Sequence, residues 1–322
     1  MKGQWIEFDV RDAIIDFFIY FLERSEIQLK QLLKWGAISS GKYYNWKRRY
    51  GKINSHNGKI PRDFWIQTSE KNEVINYFKT HPNEGYRRLC YMMIDENVVC
   101  ISPTSVYRIL KSEGLLRKPA LKSLKGTGFI QPLKAHEEWH MDIANISIGG
   151  RYYYLISILD GFSRYLVHFE LRESMTSNDT QIVYQRALDK YPNESPRLIT
   201  DNGSQFISKD FKQLIKMHGL THVRTSPYYP QSNGKIERFH RSIKHEGIYP
   251  KSPQTIIEGR KYVTSYINYY NEKRLHSALN YISPKSKLEG KSNEILMARE
   301  DKLYQARLSR QKNYLEKLPK VS

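Results

Sequence analysis

Residues 139–159 read WHMDIANISIGGRYYYLISIL, two apolar runs separated by a pair of glycines. Residues 139–146 and 152–159 are rich in β-branched and aromatic side chains, which are typical of strands. Gly149 and Gly150 readily adopt the backbone angles that a tight hairpin turn needs. The stretch therefore predicts two antiparallel strands that pair with each other.

The chain beyond this hairpin alternates between strands and helices. Asp160 and Gly161 predict a turn into a third strand over residues 165–171. The elements predicted after it are a helix over 176–190, a strand over 197–200, a helix over 209–218, a strand over 221–224 and a helix over 233–247. Three antiparallel strands followed by alternating helices and strands indicate an α/β layered architecture.

Three carboxylates fall on separate elements of this predicted core. Asp142 lies inside the first strand among apolar neighbours, where an unpaired carboxylate is costly. Asp201 follows the strand over 197–200, and strand ends are where open α/β sheets place ligands. Glu237 lies on the helix over 233–247. Taken singly, the three also fit a hydrogen-bonded strand acid, a turn residue and a solvated helix residue.

If the fold brings these carboxylates together, they repel one another unless a cation lies between them. Oxygen ligands suit Mg²⁺, with Mn²⁺ as the alternative. Two such ions about 4 Å apart can activate an attacking hydroxyl and stabilise the leaving oxygen in phosphodiester chemistry. The acids Asp142, Asp201 and Glu237 therefore make a candidate site for two divalent ions.

The first 50 residues predict a helical unit. Apolar residues over 27–33 have helical spacing, and the serines at 39–40 can cap a following helix. That helix, over 42–50, is rich in aromatic and basic side chains that include Lys47 and Arg48. A helix, a short turn and a basic helix indicate a helix-turn-helix that contacts DNA, and a small helical packing module fits equally.

A second helical unit is predicted downstream. Its helices cover residues 73–79, 86–94 and 104–113. Ser102 is a good N-cap for the third helix, and Pro103 suits its first position. The side chains that this helix offers to a phosphate backbone or a groove are Tyr107, Arg108 and Lys111. This unit is the stronger helix-turn-helix candidate, although plain bundles also contain such helix pairs.

The 322-residue chain has a net charge of +19, because 52 Lys and Arg oppose 33 Asp and Glu. Such a surface attracts polyanions, of which nucleic acid is the commonest, and an unrelated basic enzyme is the alternative. The two cysteines fit a reducing compartment, and the sequence shows no secretion signal or apolar run of membrane-spanning length. We expect a cytoplasmic protein, associated with the nucleoid and not with a membrane.

The spacing of these residues resembles that of the DDE recombinases, the superfamily of retroviral integrases and bacterial insertion-sequence transposases. Thirty-five residues separate Asp201 from Glu237, and Lys244 follows seven residues after the glutamate. The matching strings are WHMD at 139–142, LDGFSR at 159–164, TDNGSQF at 200–206, SPYYPQSNGKIERF at 226–239, YYNEKRLH at 269–276 and ISP at 282–284. Residues 85–117 also resemble the helical region before the core in the insertion-sequence branch.

The resemblance implies an RNase H-like catalytic core with a mixed five-stranded sheet, preceded by all-α helix-turn-helix units. It also implies two metal ions held by Asp142, Asp201 and Glu237, and attack of a 3′-hydroxyl on a DNA phosphodiester. Lys244 would contact DNA near the active centre. Arg241 and Lys235, on the same helix, are further candidate DNA contacts.

The implied partner is double-stranded DNA, both the ends of a mobile element and its target, bound by a homo-oligomer. Many members of this branch use a separately encoded DNA-binding part, so a second partner protein stays open. The predicted domains are a helix-turn-helix-like unit at 1–55, a second helical unit at 70–118, a basic linker at 119–134, the catalytic core at 135–290 and a basic helical tail at 291–322. The tail either contacts DNA or another subunit, or is a solvated helix.

Three functions therefore remain for comparison. The first is an insertion-sequence transposase that cleaves and joins DNA. The second is a catalytically idle, transposase-derived DNA-binding regulator, and the third is a nuclease of the same fold that cuts without joining. The intact set of three acids and Lys244 favours the transposase, because a protein that only binds DNA gains nothing from convergent acids.

Overall fold

The structure, a computed structural model, describes residues 6–52, 65–116, 131–224 and 233–316. The chain forms two units, Met1–Pro61 and Arg62–Ser322. Most of the predicted basic linker lies outside the described residues, as do residues 226–232 of the motif that precedes Glu237. No helix in the described ranges is both long and apolar enough to cross a membrane.

In its described residues, 6–52, the first unit has three helices around a small apolar core. They are α1 (Phe8–Arg24), α2 (Leu29–Trp35) and α3 (Ser40–Arg48). The Ser39 hydroxyl caps α3 by accepting the Lys42 N–H at 3.3 Å. The core residues are Ile15, Phe18, Leu32, Leu33, Ile38 and Tyr43. The predicted helix pair with a serine cap is confirmed, and α1 is an additional helix that packs against it.

The second unit begins with a three-helix bundle made of α4 (Thr68–Thr80), α5 (Tyr86–Asp95) and α6 (Pro103–Ser112). Ser102 caps α6 as predicted, accepting the Ser105 N–H at 3.2 Å, and Pro103 occupies the first helical position. Leu89 and Met93 of α5 pack against Val106 of α6 in one apolar core. Burial of that core leaves the opposite face of α6 to solvent.

A five-stranded mixed sheet follows, in the order β3-β2-β1-β4-β5. The strands are β1 (Glu138–Ile148), β2 (Arg151–Asp160), β3 (Leu166–Arg172), β4 (Arg197–Thr200) and β5 (His222–Arg224). The first three form an antiparallel meander, and β4 and β5 run parallel to β1. Gly149 and Gly150 have φ angles of 53° and 78°, so the predicted hairpin turn is confirmed. This strand order and direction are those of an RNase H-like sheet.

Helices cover both faces of the sheet. The remaining helices are α7 (Ser177–Lys190), α8 (Ser204–Ile207), α9 (Lys209–Met217), α10 (Gly234–Ser242), α11 (Ile256–Glu272) and α12 (Pro284–Leu288). One apolar core joins α10 and α11 to Ala144, Ile146 and Ile148 of β1, and another joins α7 and α9 to Trp139 and Met141. Side chains alternate across a strand, so β1 serves both cores. Its α10 face is the one that bears Asp142.

The last described element is a long helix, α13 (Ser292–Glu316), that packs against α5. The Arg299 guanidinium forms two bonds to the Asp95 carboxylate, at 2.6 and 2.7 Å, and a third to the Tyr281 carbonyl at 2.8 Å. Arg310 bonds to Glu70 at 2.9 Å. These basic residues of the predicted tail therefore fasten the three-helix bundle to the end of the chain.

Candidate active site

Two of the three predicted acids belong to adjacent parallel strands, since Asp142 lies in β1 and Asp201 directly follows β4. The β1–β4 register pairs His140 with Ile199. Asp142 lies two residues beyond His140, and Asp201 lies two residues beyond Ile199. Continuing the register therefore places the two carboxylates side by side at the same level of the sheet. Because β4 ends at Thr200, Asp201 sits where the strand gives way to a loop. The sheet topology thus brings together acids that are 59 positions apart (201 − 142) in the sequence.

The electrostatics of this pair are those of two half-buried acids that repel. Burial raises the pKa of the Asp201 carboxyl, the Asp142 charge raises it further, and a hydrogen bond from the Gly203 N–H at 2.9 Å opposes both. Asp142 accepts the Ile143 N–H at 2.9 Å. Backbone donors therefore orient both carboxylates without neutralising them. Two oxygen donors with this mutual repulsion fit a hard divalent cation.

Glu237 lies in the first turn of α10 and is exposed. Helix α10 packs against β1, so the glutamate belongs to the element that covers Asp142. Across the described ranges, however, no three His, Cys, Asp or Glu side chains lie close enough together to hold a metal ion. The structure thus brings Asp142 and Asp201 together, and the membership of Glu237 in their site stays a prediction.

His240 is a residue of this site that the sequence did not single out. Its ring is buried between α10 and the sheet, with Nδ1 3.4 Å from Asp142 Oδ2 and Nε2 2.7 Å from Ser157 Oγ. The histidine follows Glu237 by three residues, and residues at this spacing are neighbours on a helix surface. That spacing is the one signal by which the sequence could have linked His240 to the acids.

The predicted DNA-contacting cations of α10 differ in where they point. Arg241 is exposed, and Lys244 is half-buried in a π-helical turn, Ile243–Ile248, that continues α10. Lys235 directs its ammonium group into the protein. Burial and the nearby Arg164 charge together lower the pKa of Lys235 to about 7, against an opposing effect of the Asp160 charge. Of the three, Arg241 is the best placed to meet DNA.

The basic helices upstream present their predicted residues to solvent. On α6 the Tyr107, Arg108 and Lys111 side chains form one exposed face, at the spacing of neighbours along a helix. Lys47 and Arg48 are exposed on α3 in the first unit. Exposure leaves these five side chains available to a polyanion, and their role in DNA binding stays a prediction.

The mixed sheet has the strand order of an RNase H-like core, and the acidic pair lies just beyond the paired residues of β1 and β4. Two models of the family described as integrase core domain match the chain, over residues 132–230 and 218–284. Their combined span contains Asp142, Asp201 and Glu237. Residues 132–284 of this chain are thus similar to the integrase core domain family.

Curated relatives are insertion-element proteins of Escherichia coli. InsD, the transposase of insertion element IS2, is 28% identical over 222 residues, which are 64% of this chain and 74% of InsD. InsK, assigned as the transposase of IS150, is 28% identical over 152 residues, 47% of this chain and 54% of InsK. The matched part of this chain thus spans little more than half of the latter relative.

Similar solved structures come from retroviruses. A simian T-cell lymphotropic virus intasome in complex with a PP2A regulatory subunit is 19% identical with a TM-score of 0.44, covering 67% of this chain and 74% of that one. The HTLV-2 integrase catalytic core domain in complex with magnesium is 17% identical with a TM-score of 0.41, covering 48% of this chain and 98% of that one.

Proposed function

We propose that the chain is an insertion-sequence transposase that cleaves DNA at element ends and transfers the strands to a target. The observation that carries this proposal is the acidic pair Asp142 and Asp201 at the level where β4 ends, on a core in which α10, the helix that carries Glu237, packs against β1. The relatives with transposase names and the net charge of +19 support it.

In this proposal Asp142, Asp201 and Glu237 hold two Mg²⁺ or Mn²⁺ ions. Such ions supply activation of the attacking hydroxyl and stabilisation of the leaving oxygen. The Ile143 and Gly203 amides fix the orientation of the two aspartates, and the exposed Arg241 meets the DNA phosphates beside them. The protein acts on double-stranded DNA as a homo-oligomer, with Tyr107, Arg108 and Lys111 contributing to recognition of the ends.

Isosteric removal of the acids tests the proposal. Full-length Asp142→Asn, Asp201→Asn and Glu237→Gln should each lower strand transfer about a thousandfold or more, since metal catalysis supplies several kcal/mol. The assay uses Mg²⁺ and duplex DNA carrying the sequences that flank the gene. Binding to that DNA should change little, because these acids hold ions and not phosphates.

Glu194→Gln, at an exposed loop acid, is the matched control and should leave both measurements unchanged. Near-normal strand transfer by Glu237→Gln would remove the third ligand from the proposed site. Wild-type protein that binds the end DNA specifically and neither cleaves nor joins it would instead support the idle regulator. Cleavage without joining would support the nuclease.

A further inference from the structure

The side chains of Asp142, Ser157 and His240 meet between α10 and the sheet, next to Asp201. The β1–β2 register places Ser157 directly opposite Asp142, so both project toward α10 from neighbouring strands. His240 of α10 is packed onto this pair, bonding to the Ser157 hydroxyl at 2.7 Å and lying 3.4 Å from the Asp142 carboxylate. Ser157 is fully buried and His240 nearly so. The arrangement links β1, β2 and α10 through one imidazole ring.

The chemistry of the three groups dictates how the ring's protons are arranged. An ionised carboxylate can only accept, so the nitrogen that faces Asp142, Nδ1, carries a proton. In the neutral ring Nε2 then accepts, and the Ser157 hydroxyl donates to it. The carboxylate therefore selects this tautomer, and the Ser157 hydroxyl, which can donate or accept, holds the ring in place by donating to Nε2. At 3.4 Å this contact is longer than a well-formed hydrogen bond, so it shortens only if the carboxylate turns toward the ring.

The same ring also sits at a fixed place on the helix that carries Glu237. Phe239, beside it in the sequence, is buried in the core between α10 and the sheet. Because His240 is held on the Asp142–Ser157 pair, this contact fixes how far the first turn of α10 lies from the sheet and how the helix is rotated about its axis. Glu237 lies in that first turn, three residues before His240, so the two residues are neighbours on the surface of α10.

We propose that His240 is a positioning residue of the active site, held by Ser157, that orients Asp142 and sets the approach of Glu237. This role rests on the proposed function, because it concerns the acids that hold the metal ions. Groups that hydrogen-bond to a metal ligand govern its orientation and its affinity for the ion. Losing the contact from His240 to Asp142 should therefore weaken metal binding, while a merely space-filling histidine would not affect it.

Two amide substitutions separate the two sides of the ring. In His240→Asn the amide nitrogen falls close to the place of Nδ1 and can still donate to Asp142. In His240→Gln the longer side chain places its amide near Nε2, toward Ser157, and leaves Asp142 without this donor. Mn²⁺ binding to the full-length protein, measured by calorimetry, gives a readout that does not depend on activity. Thermal melting without metal reports whether each variant folds.

We expect His240→Gln to bind Mn²⁺ about 10- to 100-fold more weakly than wild type, and His240→Asn to stay within about threefold. Strand transfer by His240→Gln at saturating DNA should fall in kcat with little change in KM for DNA. Ser157→Ala, a smaller change that keeps the imidazole, should weaken Mn²⁺ binding severalfold because the ring loses the hydrogen bond that holds its orientation toward Asp142. His218→Gln, at an exposed histidine of the loop after α9, should match wild type.

Equal Mn²⁺ affinity in wild type, His240→Gln and Ser157→Ala would overturn the positioning role and leave the proposed function intact. If the His240 variants failed to fold, the Mn²⁺ affinity of Ser157→Ala alone would decide whether His240 has a positioning role. Asp142→Asn separates the failures, because wild type must bind Mn²⁺ more tightly than this variant. If it does not, the proposed function fails and the role of His240 fails with it.

Discussion

Asp179 and Asp201 show how the surroundings of a core aspartate decide its role. Burial alone would raise the pKa of Asp179, but hydrogen bonds from Ser174, Thr176 and Arg172 outweigh it and hold the pKa well below its usual range. The pKa of Asp201 is raised, because the single hydrogen bond from the Gly203 N–H does not outweigh burial and the charge of Asp142. Asp179 is thus a structural acid that caps α7, whereas the charge that acts on Asp201 is that of a second carboxylate, Asp142.

This contrast predicts how Asp179→Asn changes stability with pH. The folded pKa lies below the unfolded value of about 3.9, so the carboxylate stabilises the fold above that pH and loses its effect as pH falls through the folded value. We expect the variant to lose about 2 kcal/mol of unfolding free energy at pH 7, the scale of hydrogen bonds to a charged group. The loss should shrink below about pH 4.

Urea titrations of the full-length protein at pH 7 and near pH 2.5 measure both effects. Asp189→Asn, at an exposed acid of the same helix, serves as the control and should shift the free energy by less than about 0.5 kcal/mol. A loss for Asp179→Asn that is equally large at both pH values would show that shape, and not charge, stabilises this cap.

The sequence located Asp142 and Asp201 because strand patterns and turn residues are local signals. It could not locate the contact of His240 with Ser157, which depends on three things at once. The β1–β2 register must pair Ser157 with Asp142, α10 must pack on that face, and its rotation must turn position 240 toward the sheet. Each of these is set by packing between elements distant in sequence, so no window of residues contains it.

Helix α10 is an element whose form could be predicted only in part from the sequence. The sequence predicts one helix over 233–247, whereas the structure has an α-helix to Ser242 and then the π-helical turn Ile243–Ile248. A Cβ on Gly247 would lie 2.6 Å from the Tyr266 ring, so only glycine allows the turn to approach α11 so closely. Because α11 sets this geometry, helical periodicity alone could not reveal it. The wider turn also alters the direction of Lys244 relative to Glu237.

Helix α13 carries a prediction about how the three-helix bundle is held. The Arg299 side chain is almost fully buried and bonds to Asp95 with both ends of its guanidinium. Arg299→Met keeps the apolar stem and removes these bonds, so it should cost about 2 kcal/mol, less than a fully buried pair because Asp95 is partly exposed. Amide hydrogen exchange along α5 should become faster, since its contact with α13 is weakened.

The matched control is Arg307→Met, an exposed arginine of the same helix, for which α5 should exchange at the wild-type rate. Binding of DNA is the informative second measurement. If Arg307→Met weakened DNA binding while Arg299→Met left α5 protected, the tail would act on DNA as one sequence-based expectation allowed. Faster exchange in α5 for Arg299→Met alone would establish the structural role.

The net charge of the whole molecule, +19, follows directly from the sequence, but the sequence does not show which basic side chains are exposed. Several arginines form hydrogen bonds or ion pairs within the protein, among them Arg88, Arg172, Arg274, Arg299 and Arg310. Composition cannot distinguish these from exposed cations, because both count equally toward net charge. The exposed basic faces of α3 and α6 are therefore a better guide to DNA binding than the total.

The last prediction concerns how those two faces divide recognition. Arginine pairs bidentately with guanine in the major groove, whereas lysine acts as a point charge on phosphates. We therefore expect Arg48→Ala and Arg108→Ala to lower the preference for element ends over scrambled DNA by about 10- to 100-fold. Lys47→Ala and Lys111→Ala should weaken binding to both DNAs alike and make the salt dependence shallower by about one unit of slope.

Fluorescence anisotropy of the full-length protein, repeated over a range of salt concentrations, measures both quantities. The slope of log K against log salt for wild type should be roughly −4 or steeper, because several phosphate contacts release counterions. Lys216→Ala, at an exposed lysine of α9, controls for loss of one positive charge elsewhere. If both arginine variants kept the full preference for element ends, base reading would lie outside α3 and α6, and the core would have to supply it.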